Sequence, residues 1–407
     1  MSKSREIEKL RHLRKLGEIA YGCIACGDCR VAVRYTAGRY KVCPVLEHTP
    51  GFEPFFARGK MQIIRGLLEG KLHPSRELAN AIYQCTTCGD CHAACHQSMD
   101  SNINLHISRY LDHVKLYEAL RADLVDAGYG PMPRHREILE WCKREHNPYM
   151  EPHGNRVAWM TSDMKLPSKG DLVFFMGCTE PYRQPKLIQK IIMLLFSAGI
   201  VPAVIHPEEY CCGSVALRTG MRELAEELCL HNIQALKDAE AKEVVVHCAG
   251  CYRTLKKDYP EIYGKELPFK VVHITEILGQ LLKEGKLSLR SDFKDKKLTY
   301  HDPCHLGRHC SFFEPPREII KQVPGVKFLE MKRNRAAAWC CGAGGGVKSA
   351  FPDLALKIAE VRLGDAKEVG VDYIVTVCPF CENNLGSVAE REGISVLDIV
   401  DLFKNTT

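Results

Sequence analysis

The chain has 407 residues, of which 45% are hydrophobic and 26% charged, and this balance indicates a folded globular protein of two or three domains and excludes an intrinsically disordered one. The formal net charge is +6, but the basic residues form no run interleaved with aromatic side chains, so we expect no binding to nucleic acid. The 21 cysteines recur at metal-ligand spacings, which predicts reduced thiols and a cytoplasmic protein.

The first residues predict a charged amphipathic helix that runs to about Tyr21. They lack the apolar core and cleavage site of a secretory signal peptide. The longest apolar stretch, 191–205, is too short to span a bilayer. We therefore expect no transmembrane segment, and any attachment to a membrane would be peripheral, through a partner subunit.

Two cysteine motifs follow in the N-terminal region. The second has the Cys-x2-Cys-x2-Cys-x3-Cys spacing of [4Fe-4S] ferredoxins, and the first reaches its fourth cysteine after thirteen residues instead of three. In two-cluster ferredoxins the fourth cysteine of each motif ligates the other cluster. We therefore predict one [4Fe-4S] cluster on Cys23, Cys26, Cys29 and Cys95, and another on Cys85, Cys88, Cys91 and Cys43.

Segments 55–68 and 76–84 between these motifs predict helices, so we expect a helical ferredoxin-like domain over residues 1–150. The alternative is two structural zinc sites, because Cys-x2-Cys pairs also occur in zinc ribbons. His96 stands where such motifs usually have proline. It is either a group that tunes the nearby cluster or a solvated loop residue.

The segment 147–169 is rich in proline and polar residues and predicts a linker. Beyond it, apolar runs alternate with helical patterns, which predicts α/β units with parallel strands. The predicted strands are 172–176, 201–206, 243–246, 297–301, 326–330 and 372–377, and the predicted helices are 186–197, 221–239 and 352–369.

Ten further cysteines form a doubled pattern. The first set is Cys178, Cys211, Cys212, Cys248 and Cys251, and the second is Cys304, Cys340, Cys341, Cys378 and Cys381. Offsets of 126 to 130 residues relate the sets and imply two homologous repeats, which we place at 151–290 and 291–407. Five thiols exceed the four ligands of a tetrahedral zinc or a cubane, so each set predicts an unusual metal cluster.

Each set contains a Cys-Cys-Gly triplet between a leading cysteine and a trailing Cys-x2-Cys. With the two-cluster ferredoxin module, this arrangement resembles the D-type subunits of heterodisulfide reductases over nearly the whole chain. The resemblance implies an iron–sulfur oxidoreductase in which each complete CCG motif holds a noncubane [4Fe-4S] cluster through all five cysteines. It also implies that a disulfide binds between these clusters and receives one electron from each, while the cubanes carry electrons in.

Three alternatives stay open at this point. One CCG unit could hold zinc while the other holds a cluster, and the vicinal pairs Cys211–Cys212 or Cys340–Cys341 could form redox disulfides. The chain could also be an electron-transfer subunit of a 2-hydroxyacid oxidase, an aromatic acyl-CoA reductase or a membrane quinone-linked complex, with no disulfide substrate of its own. The implied partner is a membrane cytochrome, an electron-transferring flavoprotein or a flavin subunit.

Residues around the motifs give further expectations. His301, His305 and His309 flank Cys304 and are candidates to supply the two protons that disulfide reduction consumes, unless they are core or loop histidines. Gly213 and Gly342 would allow close backbone approach, and the glycine-rich loop 342–346 could donate N–H···S hydrogen bonds that shift a cluster potential. Outside the motifs, we predict buried thiols at Cys142 and Cys229, and Cys310 lies close to Cys304 in sequence.

Overall fold

The computed structural model describes residues 10–32, 40–95, 97, 111–162 and 164–404. His96 and the start of the predicted N-terminal helix lie outside the described residues. The chain divides into two compact units that alternate along the sequence: the first comprises residues 1–136, 215–222 and 332–362, and the second 137–214, 223–331 and 363–407. The linear boundaries at 150 and 290 follow the cysteine repeat and stay a prediction.

The first compact unit is helical. Its helices are Arg11–Lys15, Gly17–Ala20, Ala57–Leu68, Arg76–Tyr83, Asp90–Ala93, His113–Asp126 and Val347–Ala350, with 3-10 turns at Leu46–His48, Glu53–Phe55 and Arg335–Ala337. A short antiparallel hairpin joins β1 (Val31–Ala32) to β2 (Tyr40–Lys41). The helices predicted between the two ferredoxin motifs are thus confirmed to within two residues. Among the described residues, every helix is too short or too polar to cross a bilayer.

Local signals explain the two helices between the motifs. The Ser75 side chain accepts a hydrogen bond from the Leu78 amide and so caps helix Arg76–Tyr83. In helix Ala57–Leu68, Met61, Ile64 and Leu67 recur at helical spacing and are fully buried in one hydrophobic core. This core holds the cysteine loops in place.

The second compact unit contains two parallel sheets, which confirms the α/β prediction. Strands β3 (Leu172–Phe175), β4 (Glu243–Val246) and β5 (Lys270–His273) pair in the order β3-β4-β5. A four-stranded sheet has the order β7-β6-β8-β9, with strands at Lys297–Tyr300 (β6), Lys327–Phe328 (β7), Tyr373–Thr376 (β8) and Ser395–Asp398 (β9). In both repeats the leading cysteine and the Cys-x2-Cys motif follow strand ends, as ligands in open α/β sheets commonly do: Cys178 follows β3, Cys248 follows β4, Cys304 follows β6 and Cys378 follows β8.

The remaining helices agree with the predicted ones where these were made. They are Thr179–Arg183, Pro185–Ser197, Arg222–Asp238, Ala249–Arg253, Tyr259–Tyr263, Ile274–Lys283, Gly307–Cys310, Glu314–Lys321 and Pro379–Glu392, with a π-helical turn at Thr254–Asp258 and 3-10 turns at His153–Val157 and Ile399–Leu402. Helices Pro133–Glu145, Ser214–Thr219 and Pro352–Glu368 contain boundaries between the two units.

Two strand predictions need correction. Segment 201–206 is not a strand: its only ladder contact is an isolated bridge from Ala203 to Val173, because Pro202 lacks an amide hydrogen and Pro207 follows directly. Segment 326–330 shortens to Lys327–Phe328. Strands β5 and β9 were not predicted. Each is followed without a break by a helical element, at Ile274 and Ile399, so its apolar residues are not separated in sequence from those of that element.

The predicted linker is also wrong. Apart from Asp163, which is not described, its residues are ordered, and two of its polar side chains are fully buried. Asn147 donates hydrogen bonds to the Glu151 carbonyl at 2.8 Å and to the Tyr182 hydroxyl at 3.3 Å. Arg156 lies in the 3-10 turn His153–Val157. The polar residues that led to the linker prediction instead form hydrogen bonds with buried groups.

Candidate metal centres

The two ferredoxin motifs adopt the same curled loop. In each, the residue before the second cysteine and the glycine after it are left-handed: φ is +56° at Ala25 and +90° at Gly27, and +52° at Thr87 and +77° at Gly89. Left-handed non-glycine residues persist only where the surrounding structure fixes them. The matched conformations indicate two loops shaped for the same kind of ligand.

One cavity gathers the thiols of the second predicted cubane. Cys43, Cys85, Cys88 and Cys91 all line it, together with Lys60 and Tyr117. The thirteen-residue spacing therefore still brings Cys43 to the second motif. Burial raises the pKa of Cys43 to about 11, against the nearby Lys60 ammonium, and raises that of Cys91 well above its usual range. A metal would displace these protons when it binds.

The other predicted cubane set is more open. Burial, with smaller effects from the neighbouring thiols of Cys95, Cys23 and Cys43, raises the pKa of Cys29 to about 12. Cys29 therefore lies near Cys95 and Cys23 of its predicted set, and also near Cys43 of the other set. All 21 cysteines lie in the described part of the chain, and Cys26 is the only exposed one among them.

A buried arginine holds the second cubane loop. Arg121 is fully buried and donates to the backbone carbonyls of Cys85 at 2.6 Å and Gly345 at 2.8 Å. It also donates to the carbonyls of Ile82 at 2.7 Å and Arg218 at 2.6 Å. One guanidinium therefore fastens the loop that carries Cys85 to the glycine-rich loop that follows Cys340 and Cys341.

The structure brings the five cysteines of the first CCG set together. The Cys251 thiol donates to the Cys212 sulfur at 3.4 Å, Cys178 lies within hydrogen-bonding reach of Cys211, and Cys248 contacts Cys251. Hydrogen bonds from Cys211 and Cys251 lower the pKa of Cys212 to about 5. This is a compact donor set of soft sulfur ligands, which suits iron–sulfur binding.

Charged and thiol groups missed by sequence reasoning surround this first set. Arg156 contacts the Cys178 sulfur through Nη1 at 3.8 Å and Nη2 at 3.7 Å, and pairs with Glu209 at 3.2 Å. Cys142, predicted as a buried core thiol, is indeed fully buried, but it lies against Cys211. Its helix ends beside that cysteine, since the His146 carbonyl accepts the Cys211 amide at 2.8 Å.

The second set is divided between the compact units. Cys340 and Cys341 belong to the first unit, where the Gly342 amide donates to the Cys340 sulfur at 3.3 Å. This confirms an N–H···S bond from the glycine-rich loop. A Cβ at Gly342 would lie 2.3 Å from the Ala355 carbonyl oxygen, which confirms the predicted close approach there.

Cys304, Cys378 and Cys381 belong to the second compact unit. Within this unit Cys378 lies in hydrogen-bonding contact with Cys248 of the first set. The two CCG repeats therefore meet through the first cysteines of their Cys-x2-Cys motifs. All 21 cysteines are free thiols, including both vicinal pairs.

The candidate proton donors lie beside Cys304. His301 is fully buried, while the rings of His305 and His309 are 5.1 Å apart and half-buried. Cys310 faces Arg253 and Lys257, and Cys229 faces Asp258 and Glu226. The proton-donor role of the three histidines stays a prediction.

A fourth histidine near the thiols was not predicted. His247 is fully buried and places Nδ1 3.0 Å from a Glu180 oxygen and Nε2 2.9 Å from an Asp398 oxygen. Burial opposes its protonation, but Asp398 and Glu180 together raise the pKa of His247 well above its usual range. A buried histidine paired with two carboxylates therefore lies directly before Cys248 in the chain.

Comparisons with known proteins identify the domains. Residues 7–99 match the 4Fe-4S dicluster domain, and residues 172–256 and 298–386 each match the cysteine-rich domain called CCG. These matches confirm the ferredoxin-like module and the two repeats. They also fit iron–sulfur clusters as the cofactors.

Several relatives match over most of the chain. The D-type subunit of the dihydromethanophenazine:CoB–CoM heterodisulfide reductase from Methanosarcina barkeri is 38% identical over 93% of this chain and 92% of its own length. Its counterpart from Methanosarcina acetivorans is 42% identical over 80% and 78%. The B-type subunit of the fumarate reductase (CoM/CoB) from Methanothermobacter marburgensis is 30% identical over 94% of this chain and 72% of its own length.

Proposed function

The chain belongs to the family formed by the D-type subunits of heterodisulfide reductases, and from this premise we propose that it reduces a disulfide at its paired CCG sites with electrons that enter through the ferredoxin-like module. It is an iron–sulfur oxidoreductase. The observation that carries the proposal is the contact between Cys248 and Cys378. Two adjacent one-electron centres suit a disulfide, whose reduction to two thiols consumes two electrons and two protons.

We assign the cluster ligands as the sequence predicts. The ferredoxin-type clusters are assigned to Cys23, Cys26, Cys29 and Cys95, and to Cys85, Cys88, Cys91 and Cys43. The noncubane clusters are assigned to the first and second CCG sets. The clusters supply single electrons when bound. The protein's own residues fix the loops through Arg121, hold a guanidinium against the Cys178 sulfur through Arg156, and exclude water by burying Cys378 and Cys381.

Anaerobic purification with iron analysis and turnover tests this proposal. We expect roughly 16 iron atoms per chain, four for each cluster, and reduction of a CoM–S–S–CoB-type disulfide by reduced methyl viologen. Cys248→Ser and Cys378→Ser should abolish turnover but leave the ferredoxin-type signals, while the matched variant Cys229→Ser should keep both. Fewer than about eight iron atoms per chain would contradict a four-cluster protein.

A relay without its own disulfide substrate is the second candidate. It is favoured by the match to a fumarate reductase component, a relative named for a different reaction. Full iron content with reducible clusters but no disulfide turnover would support the relay. The same result would exclude a reductase acting on that disulfide.

We also propose that a redox partner protein docks beside Cys26. A groove next to this exposed thiol is lined by Ala25, Pro54 and Leu72, among others. Its borders carry large apolar side chains that are unusually open to solvent: Phe52 is 70% exposed and Ile24 63%. Exposed apolar patches of this kind mark interaction sites.

The charged side chains near the groove indicate the charge of the partner's binding surface. Arg58 contributes to the lining and Arg65 lies under the Cys23 loop, while Glu53 offsets one of these charges. We therefore expect a partner whose cofactor edge sits in an apolar surface with an acidic border. A flavoprotein or a membrane cytochrome is the proposed partner, and the cytochrome would also hold the chain at the membrane peripherally.

Reduction by a protein donor tests this surface. With a reduced electron-transferring flavoprotein as donor, Phe52→Asp should slow reduction of the clusters at least tenfold, whereas their reduction by methyl viologen should be unchanged. Val201→Asp is the control, since Val201 is 56% exposed in the other compact unit. Equal rates for both variants would rule out docking at the groove.

A further inference from the structure

We propose that Arg156 raises the reduction potential of the first CCG centre, so that this centre accepts an electron more readily. The inference rests on the proposed function, because it needs a cluster on the first cysteine set. It goes beyond that function by naming a residue that sets the potential of one of the two centres.

The contact geometry places a permanent positive charge on one ligand. Arg156 is fully buried, and both terminal nitrogens of its guanidinium approach the Cys178 sulfur, at 3.8 and 3.7 Å. A guanidinium stays protonated in proteins. Burial opposes its charge, yet Cys178 and Glu209 together raise the pKa of Arg156 above its usual value.

Backbone contacts keep this guanidinium in place. Its Nη2 donates to the His146 carbonyl at 2.9 Å, and Nη1 donates to the Gly177 carbonyl. Glu209 accepts from the Met176 amide at 2.9 Å and the Gly177 amide at 2.8 Å. The carboxylate is therefore held by the backbone, and the guanidinium is the charged group that points at the sulfur.

The second repeat also contains a buried arginine, Arg317. Its guanidinium is engaged by two carboxylates, Asp302 at 2.6 Å and Glu330 at 2.7 Å. Arg317 is therefore a suitable control for Arg156, whose guanidinium contacts both a carboxylate and a cysteine sulfur.

A positive charge and N–H···S hydrogen bonds both raise the reduction potential of a cluster. A reduced cluster carries one more negative charge than the oxidised one, so a nearby cation and N–H···S bonds favour reduction. At Cys178 the guanidinium of Arg156 supplies both a positive charge and N–H···S contacts. Arg156 should therefore raise the reduction potential of the first CCG centre.

A redox titration followed by electron paramagnetic resonance tests the inference on the anaerobically purified whole protein. Cys178→Ser first identifies the signal of the first CCG centre as the one that it abolishes. In Arg156→Gln this signal should shift to lower potential by at least a tenfold change in its one-electron equilibrium constant, which is 59 mV. Arg156→Lys should shift it less, because the charge is kept. Arg317→Gln is the control at matched burial and should leave this signal in place.

Each outcome decides the matter. A Cys178→Ser protein with unchanged iron and signals would overturn the proposed function itself. A signal that Cys178→Ser removes but Arg156→Gln does not shift would overturn only the role of Arg156. If Arg156→Gln fails to retain iron, Glu209→Gln decides: the potential should rise because the offsetting anion is gone, and a fall or no change would refute the inference.

Discussion

The guanidinium of Arg121 donates a 2.6 Å hydrogen bond to the backbone carbonyl of Cys85, the first cysteine of the second ferredoxin motif. Arg65 does the same for the first motif, donating to the carbonyl of Cys23. The two arginines differ in burial, because Arg121 is fully buried and Arg65 is half-buried. Water is therefore excluded from the arginine–carbonyl hydrogen bond of the second motif but can reach that of the first motif.

Replacing Arg121 should lower the free energy of unfolding more than replacing Arg65. Arg121→Met leaves four buried carbonyls without their donor, and we expect it to lower the free energy of unfolding by at least about 3 kcal/mol. Arg65→Met should cost less than about 1.5 kcal/mol, because water can reach the carbonyls that it leaves. Urea unfolding of the anaerobic protein measures both changes. Equal losses would contradict the distinction.

Much of the arrangement of the cysteines could be predicted from their spacing in the sequence. The pairing of Cys43 with the second motif and the parallel strands ending at the CCG cysteines follow from local sequence signals. The buried charges could not, because their partners lie far away in sequence: Arg121 contacts Gly345 across 224 residues. A weaker signal existed for Lys60, which shares the buried helical face of Ile64 and Leu67.

The linker prediction failed for a related reason. Proline and polar residues break regular secondary structure, and composition cannot distinguish a solvated connection from an irregular segment packed on a site. Arg156 and Asn147 show which of the two applies, since both are fully buried. Only the tertiary structure reveals the sulfur and the carbonyls that these side chains contact.

Cys142 should tune the first CCG centre without ligating it. In Cys142→Ala we expect full iron content, with a shift of the first-centre signal to lower potential because a thiol in contact with Cys211 is lost. Cys229→Ala is the matched control, being equally buried but facing Asp258 and Glu226. It should cost similar stability, about 1 kcal/mol, without changing the signal. Loss of iron in Cys142→Ala would instead make it a sixth ligand.

Gly345 should be intolerant of any side chain. Its φ is +63°, and a Cβ would lie 2.5 Å from the Cys85 carbonyl oxygen. Gly370 has a similar φ of +67° with nothing within 4 Å of its Cβ position. Gly370→Ala should therefore cost only the left-handed strain, about 1–2 kcal/mol, whereas Gly345→Ala adds a backbone clash. Urea unfolding compares the two, and a similar cost for both would show that the loop can move away from Cys85.

Asp123 should make stability depend on pH in the mildly acidic range. Burial raises its pKa to about 6, although the amides of His12 and Leu13 each donate to its carboxylate at 2.9 Å. The unfolded chain releases this proton near pH 4. Between about pH 4 and 6 the folded state therefore binds more protons, and stability falls as pH rises through that window, by at most about 3 kcal/mol.

Asp123→Asn removes this titration, so its unfolding free energy should vary less between pH 4 and 6 than that of the unaltered protein. Asp126→Asn is the control: Asp126 pairs with Arg11 at 2.7 Å at a partly exposed position, where surface screening leaves little to lose. Urea unfolding of the anaerobic protein at several pH values provides the measurement. An unaltered protein that becomes more stable as pH rises from 5 to 6, with the same slope in Asp123→Asn, would show that this carboxyl group titrates normally.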